Sequence, residues 1–340
     1  MFSLVKKVVA LFAFLLVCAL PIRAMDQKHT HEFHSIIMPG LNGGGGQTSR
    51  ANNVVNTAPQ NTTEYDILPA AQADLGQKNC VADFERQFNQ NRTTLNRKYL
   101  LYGFSQGTAT LTHWLAKKTH AQQNEATQLL VLEGVLGSGN SAIQHTVGYH
   151  APFAPYLPFA RLWLPWAAKA VALRGYNPLG TTTIELAKKL SPTLPVVIMH
   201  NQGDTELSIN DAREYYCALR EQGNNNAYLM EIDNGKAHCE VLSEYYREDG
   251  YPERHDKIRD LQAIYKKHGL PSKPQGNSYE PIDDHNSPFH FTQEYQPSVQ
   301  EVRRRISKTT GYKNILRNTI DIMSGALILG GIWWKYFSKK

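Results

Sequence analysis

The sequence predicts an α/β fold: a mostly parallel sheet with helices on both faces. Short apolar runs alternate with longer stretches of helical period, and Gly, Pro and Asn separate them. The chain has 340 residues, 41% hydrophobic and 19% charged, enough to bury a sizeable core. That composition excludes a disordered chain, a coiled coil and a multi-span membrane protein.

The elements follow in order. Phe33–Met38 (FHSIIM) is a strand ending at Pro39-Gly40, and Tyr65–Leu68 is a short second strand before Pro69. Ala71–Asn89 is helical, with Leu75, Val81, Phe84 and Phe88 on one face. Lys98–Tyr102 is the third strand, Gln106–Ala121 a helix, and Gln128–Leu132 the fourth strand. Leu194–Met199, helix Ile209–Gln222 and strand Ala227–Ile232 continue the rhythm, and helices Glu240–Tyr246 and Arg254–Lys267 close it. Residues 138–180 break it. They interleave Tyr149, Phe153, Tyr156, Phe159, Trp163 and Trp166 with Pro152, Pro155, Pro158 and Pro165. Prolines at that density work against a long regular helix. So many aromatics do not suit a solvated loop, and a cap inserted over the sheet explains both. The aromatics then either wall a binding site or pack the cap on the core.

The net charge of +6 is a terminal property. Outside residues 1–24 and 313–340 the chain holds 28 basic and 29 acidic residues, which gives no reason to expect a nucleic-acid partner. Residues 1–24 read as a signal peptide: Lys6 and Lys7, an apolar run from Val8 to Leu20, Pro21, then Ala24 as the cleavage position. Three cysteines follow, Cys80, Cys217 and Cys239, so one disulfide at most is open to the mature chain. The body spans 25–270, and 271–312 is a polar linker with a short basic helix. Residues 313–340 form a hydrophobic membrane-associated tail. In it Ile322–Trp334 is apolar, and Lys335, Lys339 and Lys340 follow. Thirteen apolar residues are short for a span, so a helix docked on the body is the competing expectation.

The sharpest motif is Gly103-Phe104-Ser105-Gln106-Gly107, between a strand and a helix. A serine on so tight a corner needs small neighbours, because the backbone there is strained and close-packed. Here the chain resembles the α/β-hydrolases, over roughly residues 33–268. The resemblance implies an esterase, lipase or thioesterase-like serine hydrolase, with residues from three further places. Pro39-Gly40-Leu41 and the glycines 43–46 match the oxyanion loop, with Leu41 and Gln106 N–H as the donors; the usual His-Gly is Pro-Gly here. Asp204, in the turn after the fifth strand, matches the acid, with Glu133 and Asp233 as rivals. His238, on the loop after the last strand, matches the base. His113, His145, His150 and His200 lack that position. The order Ser105, Asp204, His238 is the one this family requires.

The resemblance implies a serine attack on a carbonyl, an acyl-enzyme and its hydrolysis, with no metal or other cofactor. The expected substrate is a hydrophobic or acyl ester, and a thioester is a further option. An acyltransferase or thioesterase with the same triad, and a non-catalytic binding protein on the same fold, are the alternatives. The signal peptide and tail together put the body on the exported side of a membrane.

Overall fold

The structure is a computed structural model, and it describes residues 34–40, 61–64, 74–91, 98–150, 159–171, 175–233, 238–239, 253–270, 296–311 and 319–323. Residues 1–24, read above as a signal peptide, Leu41 with its glycines, Tyr65–Leu68, Glu240–Tyr246 and residues 324–340 lie outside these.

Six strands form one parallel sheet: β1 (His34–Met38), β2 (Asn61–Glu64), β3 (Tyr99–Phe104), β4 (Thr127–Glu133), β5 (Val196–Asn201) and β6 (Ala227–Ile232). The spatial order is β2-β1-β3-β4-β5-β6, so β1 lies between β2 and β3. Beyond that one exchange the strands follow sequence order, and all their carboxyl ends meet at one edge of the sheet. Ligand sites of open α/β sheets gather at that edge.

Strand residues alternate between two cores, as a pleated sheet covered on both sides requires. Tyr99 and Leu101 pack on one side with helices α1 (Lys78–Asn91), α2 (Gln106–Leu115) and α7 (Ile209–Glu221). Leu100, Tyr102 and Phe104 pack on the other with Leu261, Ile264 and Tyr265 of α8 (Glu253–Lys267). The first core holds an aromatic cluster in which Phe84 meets Trp114 edge-on at 5.1 Å between centroids. Between these elements lie α3 (His120–Ala126), α4 (Gly139–His150), α5 (Ala160–Val171) and α6 (Thr183–Ala187).

Several boundaries depart from the sequence reading. The strand beside β1 is Asn61–Glu64, which the sequence reading did not include, while the expected strand Tyr65–Leu68 lies outside the described residues. It sits at the sheet's edge, where two β-branched threonines suffice and apolar alternation is not needed. Helix α1 begins at Lys78 rather than Ala71, because Leu75 and Gly76 turn at positive φ and Asp74 takes the N–H groups of Asn79 and Cys80. The expected helix 106–121 is two helices. Thr119 opens the second through a capping box with Gln122. In the expected cap, α4 and α5 are regular, and α5 runs through Pro165 at the loss of one hydrogen bond.

Residues 299–311 form a further helix, α9, docked on α7. Val302 is fully buried, and Arg303 bonds Glu214 and Glu221 at 2.6 and 2.8 Å. Arg305 shares Glu231 of β6 with Arg213 of α7, whose guanidinium meets that carboxylate at 2.8 and 2.9 Å. Among the described residues no helix is long and apolar enough to cross a membrane.

Candidate active site

Ser105 stands between β3 and α2 with φ 48° and ψ −115°. A non-glycine residue there is strained by about 1–3 kcal/mol, which the surroundings must offset. They do so by packing and hydrogen bonds. A Cβ on Gly107 would lie 2.0 Å from the Met38 carbonyl oxygen, and one on Gly103 would lie 2.9 Å from the Gly107 carbonyl carbon. Both glycines are therefore required for α2 to come this close to β1 and β3. Ser105 N–H donates to Glu133 O at 2.9 Å, and Thr108 Oγ1 donates to Ser105 O at 2.6 Å. Thr108 Oγ1 also accepts Leu136 N–H, tying the corner to the segment after β4.

The fold is that of an α/β-hydrolase. Its strand order together with this strained, glycine-flanked serine corner decides it. No protein-family model matches the chain, and neither does any curated protein sequence. Among solved structures it is similar to an esterase of Pyrococcus furiosus (13% identity, TM-score 0.47, covering 70% of this chain and 84% of that one). It is also similar to Est1E from Butyrivibrio proteoclasticus (12%, 0.44, 71% and 90%). A third is a serine hydrolase involved in carbazole degradation (13%, 0.42, 69% and 91%). These likenesses are remote.

The other two expected site residues come together in the hydrolase fold. Asp204 follows β5 in a tight turn, where Oδ1 accepts the N–H groups of Glu206 and Leu207 at 2.8 and 2.9 Å. That leaves Oδ2 for His238, whose Nδ1–H donates to it at 2.7 Å. The bond holds the tautomer whose Nε2 carries no proton and can accept one. His238 follows β6, and its ring reaches the end of β4. A Cβ on Gly134 would lie 3.4 Å from His238 Cε1. Gly134 adjoins Glu133, whose carbonyl holds Ser105 N–H, so serine and imidazole share one end of the sheet. Among the described residues Ser105 Oγ and His238 do not share a hydrogen bond. Nε2 instead lies 3.4 Å from Cys239 Sγ and 3.6 Å from Glu206 Oε2. Nucleophile–base hydrogen bonds of this kind tighten as substrate binds.

The rival acids are placed otherwise. Glu133 is buried, with Oε2 accepting the Tyr102 hydroxyl at 2.5 Å in the second core. Asp233 is exposed just past β6. Gln106 is fully buried, and its N–H is the first of α2, with no partner inside the helix. Pro39 lies beside Gly107, so the loop that carries Leu41 starts at the serine corner.

Electrostatics follows from burial and these bonds. Burial works against charge on His238, while the Cys239 sulfur and the Asp204 carboxylate favour it, and the net effect holds the imidazole above its ordinary value. Burial also holds Cys239 in its neutral thiol form, so the Asp204 carboxylate is the lasting cause. Burial pushes Asp204 up, but the His238 hydrogen bond and the neighbouring imidazoles outweigh it, and its pKa lies below the usual value. His200, fully buried under the acid turn, is lowered to about 4 by desolvation and stays neutral. Its Nε2 faces Leu207 O at 3.3 Å.

Two side chains that the sequence did not single out for the site brace the acid turn from α4. His145 Nε2 bonds Asp204 O at 2.9 Å, and Thr146 Oγ1 donates to Glu206 O at 3.0 Å. Cys80, Cys217 and Cys239 are all buried and free, so the one disulfide the count allowed is not formed. Among the described residues no group of three or more His, Cys, Asp or Glu is placed to hold a metal ion. Of the six aromatics expected to wall a site or fill a core, Tyr149, Phe159, Trp163 and Trp166 are exposed. Phe153 and Tyr156 lie outside the described residues.

Proposed function

We propose that this chain is a serine hydrolase that cleaves ester bonds of a hydrophobic or acyl substrate. His238 takes the Ser105 proton, Ser105 Oγ attacks the carbonyl carbon, and the N–H groups of Leu41 and Gln106 hold the oxyanion. His238 then protonates the leaving alcohol, and water, deprotonated by the same imidazole, hydrolyses the acyl-enzyme. The observation that carries this reading is the Asp204–His238 bond at the sheet end that holds the strained Ser105. A fluorophosphonate probe should label the wild type and leave Ser105→Ala unlabelled. Equal labelling of the two removes Ser105 as nucleophile and the reading with it.

Export by residues 1–24 and anchoring by the apolar run Ile322–Trp334 belong to the same proposal. Helix α9 is integral to the body, so the tail is best removed after residue 311. The full chain should resist alkaline carbonate extraction from membranes, and the chain ended after residue 311 should be released. Release of both overturns the anchor.

A further inference from the structure

Helix α5 is apolar on both sides. Ala160 and Leu164 face inward, with Ala168 packed beside them, against Leu136, Ile143 and Tyr176. Leu162, Trp163, Trp166, Ala167 and Ala170 face outward, at the i, i+1, i+4, i+5 and i+8 spacing of one helix face. Leu162, Trp163 and Trp166 are 62%, 41% and 48% exposed. Among the described residues eight large apolar side chains are exposed, and all but Leu179 belong to the end of α4, the start and face of α5, or residues 322–323. This is one patch by its placement in the fold, and a patch of that kind marks a docking surface.

Two observations say what docks. The first is chemistry. Paired tryptophans with a leucine, and Lys169 Nζ 5.6 Å from the Trp166 ring centre, match a helix face seated at the headgroup–acyl boundary. Twelve residues make roughly 18 Å of helix, suited to lying in a bilayer surface and too short to cross it. The second is chain continuity. Phe159 N–H, at the start of α5, donates to Asp321 Oδ1 at 3.0 Å. The C-terminal run therefore leaves the body beside α5, with Ile322 and Met323 exposed, and continues through eleven more residues to Trp334 before its lysines. A tail that enters a bilayer from that point brings α5 to the same surface.

We infer that the outward face of α5 is a peripheral membrane-docking surface, on which Leu162, Trp163 and Trp166 seat in a lipid bilayer beside the root of the C-terminal tail. Helix α5 packs on α4, which bonds the Asp204 turn, so the seated face lies next to the elements that frame the site. Resting on the proposed esterase activity, this makes the substrate an ester carried in the bilayer itself.

The test uses the full mature chain reconstituted in phosphatidylcholine–phosphatidylglycerol vesicles. Its own cysteines are buried, so an environment-sensitive dye can be attached selectively at Leu162→Cys, or at Leu179→Cys as the exposed control outside the patch. Nitroxide lipids with the quencher on the acyl chain should quench the dye at 162 about twofold or more and leave the dye at 179 unchanged. Quenching at 162 by aqueous iodide instead, or by neither quencher, overturns the inference; the second outcome means that the tail or a second copy covers the face. Trp166→Glu adds a catalytic readout. It should lower turnover of a vesicle-borne long-chain ester about tenfold while turnover of a soluble short-chain ester holds; equal turnover of the vesicle-borne ester in variant and wild type overturns the inference. If neither ester is cleaved by the wild type, the esterase reading fails while the quenching result stands on its own.

Discussion

The serine corner and the acid–base pair lie at the same end of one sheet but are held in different ways. Ser105 is fixed by its close neighbours in sequence and by the strands that flank them: Gly103 and Gly107 permit the approach, and Thr108 ties the strained peptide down. Asp204 and His238 come from loops 34 residues apart, and their turn is braced by His145 and Thr146 from about sixty residues away. Ser105, the proposed nucleophile, thus owes its conformation to a five-residue corner, and His238, the proposed base, owes its place to tertiary packing. A local feature should fail by unfolding when it is broken. A packed feature should fail by losing function while the fold survives.

Asp204→Asn is the largest test of that difference. It leaves the Ser105 corner intact and removes the carboxylate that sets the imidazole's tautomer. Turnover should fall roughly 10³–10⁴-fold with circular dichroism and melting little changed. A loss under tenfold would move the acid to another carboxylate. Gly107→Ala attacks the local half. Its Cβ would meet backbone, not a side chain that can swing away. A cost of about 3 kcal/mol, or some 6–12 °C in Tm, is expected. An unchanged Tm would mean that the corner is looser than its contacts indicate.

The smallest effect is on pH. His238 acts as a base only when neutral, and its pKa is raised in the folded chain. The fall in kcat/KM on acidification should therefore be centred above the ordinary ~6.5 rather than at it. The residual activity of Asp204→Asn should show the same limb displaced downward, because the carboxylate that favours the charged ring is gone. A wild-type limb at or below ~6.5 would show that the pair does not persist in solution.

The same contrast explains what could be read from the sequence. The corner was legible because its requirement is written in five consecutive residues between a strand and a helix. The strand rhythm was legible because buried parallel strands are apolar on both faces. Edge strand β2 at Asn61–Glu64 was missed, since an edge needs little apolar patterning. Helix α1 was started too early, since nothing in Leu75 announces its positive φ. His145 and Thr146 gave no signal, because a polar pair on a helix has no distinguishing pattern until the fold brings the acid turn under it. The aromatics of 138–180 suggested an inward wall or a core, and composition alone could not reveal that four of them face out.

Helix α9 has a consequence for how the chain responds to cutting. It is separated from α8 by residues 268–298, yet it buries Val302 and joins Glu231 through Arg305 and two further glutamates through Arg303. A protease nick in that intervening stretch would give two polypeptides on a denaturing gel and one particle on a sizing column. The body would then keep hold of its C-terminal fragment by side-chain contact alone, and high salt, which weakens exposed ion pairs, would help the two pieces part.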